Sequence, residues 1–154
     1  YQSESATWRN AYLSAAHELR HGSYYLGAVR PPGVAAAMTC MQLIDMLGVR
    51  FDPDQFRDTA SIAWTITDRD ETHLMGVSNK TIHQYEAPSA EQLAAADVAV
   101  EATHASMVQI GYNSPVLPDL LADGSIVVTA GDGGLFEEFV ASLDVNTTAT
   151  VIEP

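Results

Sequence analysis

One cysteine, Cys40, and one lysine, Lys80, stand in a chain of 154 residues. A single cysteine excludes an intrachain disulfide framework. Set in an apolar run, Cys40 reads as a small buried side chain. The scarcity of lysine leaves seven basic residues against twenty acidic ones, a formal net charge of -13. Such a surface repels phosphate backbones and anionic lipid, so neither nucleic acid nor a charged membrane surface is an expected partner. No apolar run approaches the ~18 residues that a membrane span needs, and no basic segment precedes an apolar one as in a signal peptide. The chain opens on Tyr1 and not on methionine, so an upstream portion is expected in the natural protein, and the compartment is left open. Gly131-Asp132-Gly133-Gly134 lacks the Gly-Lys-Ser/Thr of a phosphate loop and reads as a turn and helix cap. No serine or cysteine stands in a nucleophile setting, and there is no internal repeat.

What is present is a globular chain, 47% apolar, of a length that suits one domain with a real core. In the first 22 residues, Trp8, Tyr12, Ala15, Ala16 and Leu19 recur at helical spacing and form one apolar face. Gly22 supplies the stop. Residues 23–33 read as a linker, with Arg30-Pro31-Pro32-Gly33 as a strong loop signal. A second helix is predicted over 34–47, ended by Gly48. Ala60, Ile62, Trp64 and Ile66 alternate with polar neighbours and predict a half-buried strand. Residues 72–78 and 81–85 follow as strands around Ser78-Asn79-Lys80, completing an antiparallel meander. A fourth strand is expected at 97–102 and a helix capped by Thr103 that stops at Gly111. A two-proline loop at 113–118 precedes a short turn or helix at 120–123 and a fifth strand at 125–129. Asp132 caps a last helix with Leu135, Phe136, Phe139, Val140 and Leu143 inward. The tail from Val145 reads as extended.

His17-Glu18-Leu19-Arg20-His21 matches the H-E-x-x-H pattern of zinc peptidases, in which two histidines four apart share a metal and the glutamate activates water. The rest of such a site is missing. The extended pattern wants glycine at 24 and histidine at 27, where Tyr24 and Gly27 stand. The next helix offers only Asp45 as a carboxylate, and Gly22 ends the helix directly after His21. Two solvent-facing helix histidines are the simpler reading, and no catalytic or metal residue is assigned. His73, His83 and His104 fall on different elements and read as structural. Asn146-Thr147-Thr148 fits a glycosylation acceptor, a pattern common by chance.

Methionine marks a different possibility. Met38, Met41, Ile44, Met46, Met75, Met107 and Ile110 could line an adaptable apolar cavity facing Trp64 and Ile66. The same residues also read as plain core, the ordinary meaning of apolar stripes.

The block Tyr1-Gln2-Ser3-Glu4-Ser5, Trp8-Arg9-Asn10-Ala11-Tyr12-Leu13, Ala15-Ala16 and Glu18-Leu19-Arg20 resembles the last helix of the dimerisation domain of linear alkyl sulfatases. Downstream, Met41 through Arg50, Ile62 through Asp68, Ala96 through Val100 and Gly131 through Phe139 are similar to that family's C-terminal domain. The resemblance covers nearly the whole chain. It implies an α+β, sterol-carrier-protein-like fold over 34–154: a mainly antiparallel sheet of about five strands packed with helices, preceded by the N-terminal helix. It also implies a parent zinc-dependent hydrolase of sulfuric esters, with its metal in an upstream catalytic domain and no cofactor in this chain. The expected role here is noncatalytic binding of a long alkyl or lipid-like molecule, with a homodimer in the parent. An interaction module without ligand is the alternative, and a zinc peptidase the remaining one.

Overall fold

The computed structural model describes residues 5–22, 24–25, 33–112, 114–143 and 148–149. Most of the predicted linker, the residues Tyr1 to Glu4 and the Asn146-Thr147 part of the glycosylation pattern lie outside them. The chain divides into two compact units, Tyr1–Val29 with Asn146–Pro154, and Arg30–Val145.

In the smaller unit, helix α1 (Ala6–His21) ends at Gly22, whose φ of 82° takes the chain out of the helix while its N–H donates to Glu18 O at 2.8 Å. This left-handed turn is open to glycine at little cost. α1 buries none of its residues, and Trp8, Tyr12 and Leu19 are each more than 60% exposed. Strand β1 (Tyr24–Tyr25) pairs antiparallel with β7 (Thr148–Ala149), which joins the linker to the tail.

In the larger unit, the expected second helix is two helices. α2 (Gly33–Ala37) stops at Met38, and α3 (Cys40–Arg50) starts anew. The cause is local. Thr39 Oγ1 accepts from Gln42 N at 3.2 Å while Gln42 Oε1 accepts from Thr39 N at 2.9 Å, a reciprocal capping box. Nor does Gly48 end the helix, which continues to Arg50, where the guanidinium donates to the Gly111 carbonyl.

The meander is as expected: β2 (Ala60–Ile66), β3 (Glu71–Ser78) and β4 (Thr81–Gln84) are antiparallel neighbours. Asn79 and Lys80 both take positive φ, 49° and 61°, the conformation of a tight hairpin turn. After the short helix α4 (Ala90–Ala94), β5 (Val98–Ala102) lies parallel to β2, and β6 (Ile126–Gly131) closes the five-stranded order β4-β3-β2-β5-β6. Asp97 anchors the parallel pair, its carboxylate accepting from the Ser61 N–H and hydroxyl at 2.7 Å each. The sheet is therefore mixed, with one parallel pair among antiparallel ones.

Strand alternation decides the layers. Ile62, Trp64 and Ile66, with Met75, Val77, Val98 and Val100, form one core cluster with Leu43, Ile44 and Leu47 of α3 and with Met107 and Ile110 of α5 (His104–Tyr112). The last helix, α7 (Gly133–Ala141), adds Leu135, Phe136, Phe139 and Val140. All five inward positions expected of it are buried, Leu143 lying just beyond the helix end. Trp64 meets Phe136 edge to face at 5.4 Å between ring centroids, a geometry worth about 0.5–1.5 kcal/mol beyond its area.

Candidate functional site

The segment read as a two-proline loop is helical. A 3-10 turn (Ser114–Val116) runs into α6 (Leu117–Ala122), with Pro118 in its first turn. Proline is tolerated there because the first N–H groups of a helix have no partner within it. The two prolines stiffen this segment, and a groove of about 490 Å³ opens between it and α7. Pro115, Leu117, Pro118 and Leu121 line one side, with Val140, Ala141 and Leu143 on the other. Its floor is fixed. The Ser114 hydroxyl donates to Leu143 O at 3.2 Å, Asp52 N donates to Ser142 O at 2.9 Å, and Phe51 bridges Leu143. Phe51, Phe56 and Phe139 pack as an aromatic triangle with centroids 5.7 to 6.1 Å apart. Glu137 is the acidic group in the lining.

The residues singled out in the sequence take other positions. Ile44, Trp64, Ile66, Met75, Met107 and Ile110 come together, each at most 1% exposed, inside the core cluster. Met38 and Met46 pack against that cluster from its edge. Met41 is 46% exposed and lines a separate groove of about 380 Å³ with His73, Leu74 and Tyr85. Ile44 borders another, of about 290 Å³, with Phe51 and Ile82. The groove between the 114–122 segment and α7 was not foreseen. Leu117 and Leu121 were the available signal, four apart around Pro118, and the loop reading of that segment hid it.

Trp64 Nε1 is buried without a hydrogen-bond partner, a donor whose desolvation costs roughly 1–3 kcal/mol. His104, 6% exposed, is structural as expected. Its Nε2 donates to Met38 O at 2.9 Å, and its backbone N–H donates to Asp68 Oδ1 at 2.8 Å. On α1 the His17 and His21 rings lie 4.6 Å apart. Among the described residues, the side chains that converge as three metal donors are Cys40, Glu71 and His73.

Fold and groove together define an α+β domain with an apolar cleft at the edge of its core. The sequence model of the alkyl sulfatase C-terminal family matches residues 28–152, and the chain belongs to that family. It is 28% identical over 156 residues to the (R)-specific secondary-alkylsulfatase of a Pseudomonas species, covering 100% of this chain and 23% of that protein. To the linear primary-alkylsulfatase of a Pseudomonas species it is 29% identical, covering 94% of this chain and 21% of that protein. The chain thus spans less than a quarter of these curated relatives. The solved stereoselective inverting sec-alkylsulfatase Pisa1 matches with a TM-score of 0.66 at 29% identity, over 94% of this chain and 22% of that one. Sterol carrier protein 2-like structures are also among the neighbours, at TM-scores of 0.48 and below. Among the described residues, no helix is long and apolar enough to cross a membrane.

Proposed function

We propose that this domain holds the alkyl chain of an amphiphile in the groove between α6 and α7 and performs no chemistry itself. The groove carries the reading. It is lined mainly by apolar side chains, and its volume falls within the roughly 300–1,000 Å³ of small-molecule sites. Leu117, Val140 and Leu143 belong to the same apolar cluster as Ile44, Trp64, Ile66, Met75, Met107 and Ile110. Those six residues fill the core cluster, and the half-buried Met38 and Met46 pack against it from its edge. Glu137 and the acidic surface disfavour an anionic headgroup in the groove, so the apolar end enters and the headgroup stays outside. The relatives are named as alkylsulfatases, and we assign that activity to the part of such proteins that this chain does not span.

Titration with a fluorescent fatty acid, displaced by dodecyl sulfate below its micellar range, tests the proposal. Saturable binding at micromolar concentration is expected, lost in Leu121→Trp, whose larger side chain fills the groove. Absence of saturable binding by the native chain overturns it. A second reading, a self-association module, is favoured by the exposed Trp8, Tyr12 and Leu19 of α1. Light scattering on the same samples separates the two, because ligand-independent dimers with no saturable binding leave only the second.

A further inference from the structure

We propose that Cys40, Glu71 and His73 form a Zn2+ site that pins the start of α3 to strand β3. This goes beyond the ligand-binding reading and does not rest on it. The donor atoms of the three side chains all lie within 4.8 Å of one another, and His73 Nε2 stands 3.0 Å from Glu71 Oε2. Two features of the chain produce this convergence. Glu71 and His73 are two apart on β3, so their side chains share a face. It is the core face, since Glu71 pairs with Ile66 and His73 with Trp64 across β2. Cys40 is the first residue of α3, and the Thr39–Gln42 capping box fixes it there.

The donor set selects the ion. Thiolate, imidazole and carboxylate together suit zinc, whereas calcium and magnesium take all-oxygen sets. Thiolate and carboxylate together cancel the charge of one Zn2+. Cys40 is fully buried, while the side chains of His73 and Glu71 are 18% and 43% exposed, so the ion enters from the strand side. Three protein donors leave a fourth position for water. Without metal, a thiol is protonated at neutral pH. On binding, the S–H bond breaks, the S–Zn bond forms, and one proton passes to the buffer.

The full chain, stripped with chelator, is titrated with Zn2+ and separately with Co2+. One equivalent of each is expected, with a thiolate-to-cobalt charge-transfer band, release of one proton per ion and a melting midpoint that rises with free Zn2+. Cys40→Ser should abolish the charge-transfer band, and both it and His73→Gln should weaken binding by more than about a hundredfold, the upper end of the loss when an outer partner of a ligand is removed. The double variant His17→Gln, His21→Gln should keep the band and the equivalent. Two results overturn the site: no charge-transfer band in the folded native chain, or a zinc equivalent lost in the His17/His21 variant and kept in Cys40→Ser. Because the band is read on the native chain, a variant that misfolds does not decide the outcome.

Discussion

Met107 tests whether the buried methionines are packing or the lining of an open cavity. It lies on α5, 1% exposed, in the cluster with Trp64 and Phe136. Met107→Ala removes a methylene, a sulfur and a methyl. Transfer of those groups from water accounts for about 2 kcal/mol at ~0.8 kcal/mol per methylene equivalent. The space left behind adds about 1 kcal/mol at ~24 cal/mol per Å³. The sum, about 3 kcal/mol, sits inside the roughly 2–5 kcal/mol range of buried Met→Ala changes. For a unit the size of Arg30–Val145, each kcal/mol moves the midpoint by about 4 °C, so a fall near 12 °C is expected. Met41→Ala, at a residue 46% exposed, should change stability by under about 0.5 kcal/mol. Tryptophan emission reports the transition cleanly, because Trp8 is already 63% exposed and the red shift comes from Trp64. If Met107→Ala costs under about 1 kcal/mol while weakening fatty-acid binding, Met107 borders open space and the packed-core reading fails.

Two further outcomes follow from the same packing. Gly131 takes a φ of +80°, and a Cβ there would stand 2.1 Å from the Asp97 carbonyl oxygen; Gly131→Ala should cost at least about 1–2 kcal/mol by urea titration, and an unchanged midpoint would contradict the β5–β6 register. Lys80 holds the Asp54 carboxyl below its usual range, Ser125 does so for Asp123 and Arg57 for Glu138. Each depressed group contributes stability above its ordinary pKa and loses it as pH falls through the lowered one, so urea midpoints should hold near neutrality and decline below about pH 4.5.

Much of the architecture was legible because local chemistry and burial point the same way. Alternation at Ala60, Ile62, Trp64 and Ile66 gave the strand, its face and the meander around Asn79-Lys80. Asp132 capped the last helix as read, its side chain accepting from Gly134 N. Two errors have physical causes. The apolar stripe across 34–47 hid the break that the Thr39–Gln42 capping box makes, since a cap acts on the backbone whatever the stripe does. Pro118 was taken as a breaker, where in a helix's first turn it costs no internal hydrogen bond. The parallel pairing of β2 and β5 was not readable, because it joins segments far apart in the chain, such as Ser61 and Asp97, 36 positions apart.

The functional features fall on the far side of that boundary. An apolar residue that walls a groove and one that fills a core obey the same periodicity; what separates them is whether another element covers them. Val140 and Leu143 are buried in the core, and they border a groove because Pro118 and Leu121 stand off across it. No spacing rule encodes that stand-off. The metal donors make the same point from the opposite direction. His17 and His21, with the spacing of a known metal pattern, sit at the end of a helix that stops at His21 itself. Cys40, Glu71 and His73 have no pattern, since their convergence depends on where α3 starts and which face of β3 it meets. Break the Thr39 cap and that geometry goes, whatever happens to the three donors.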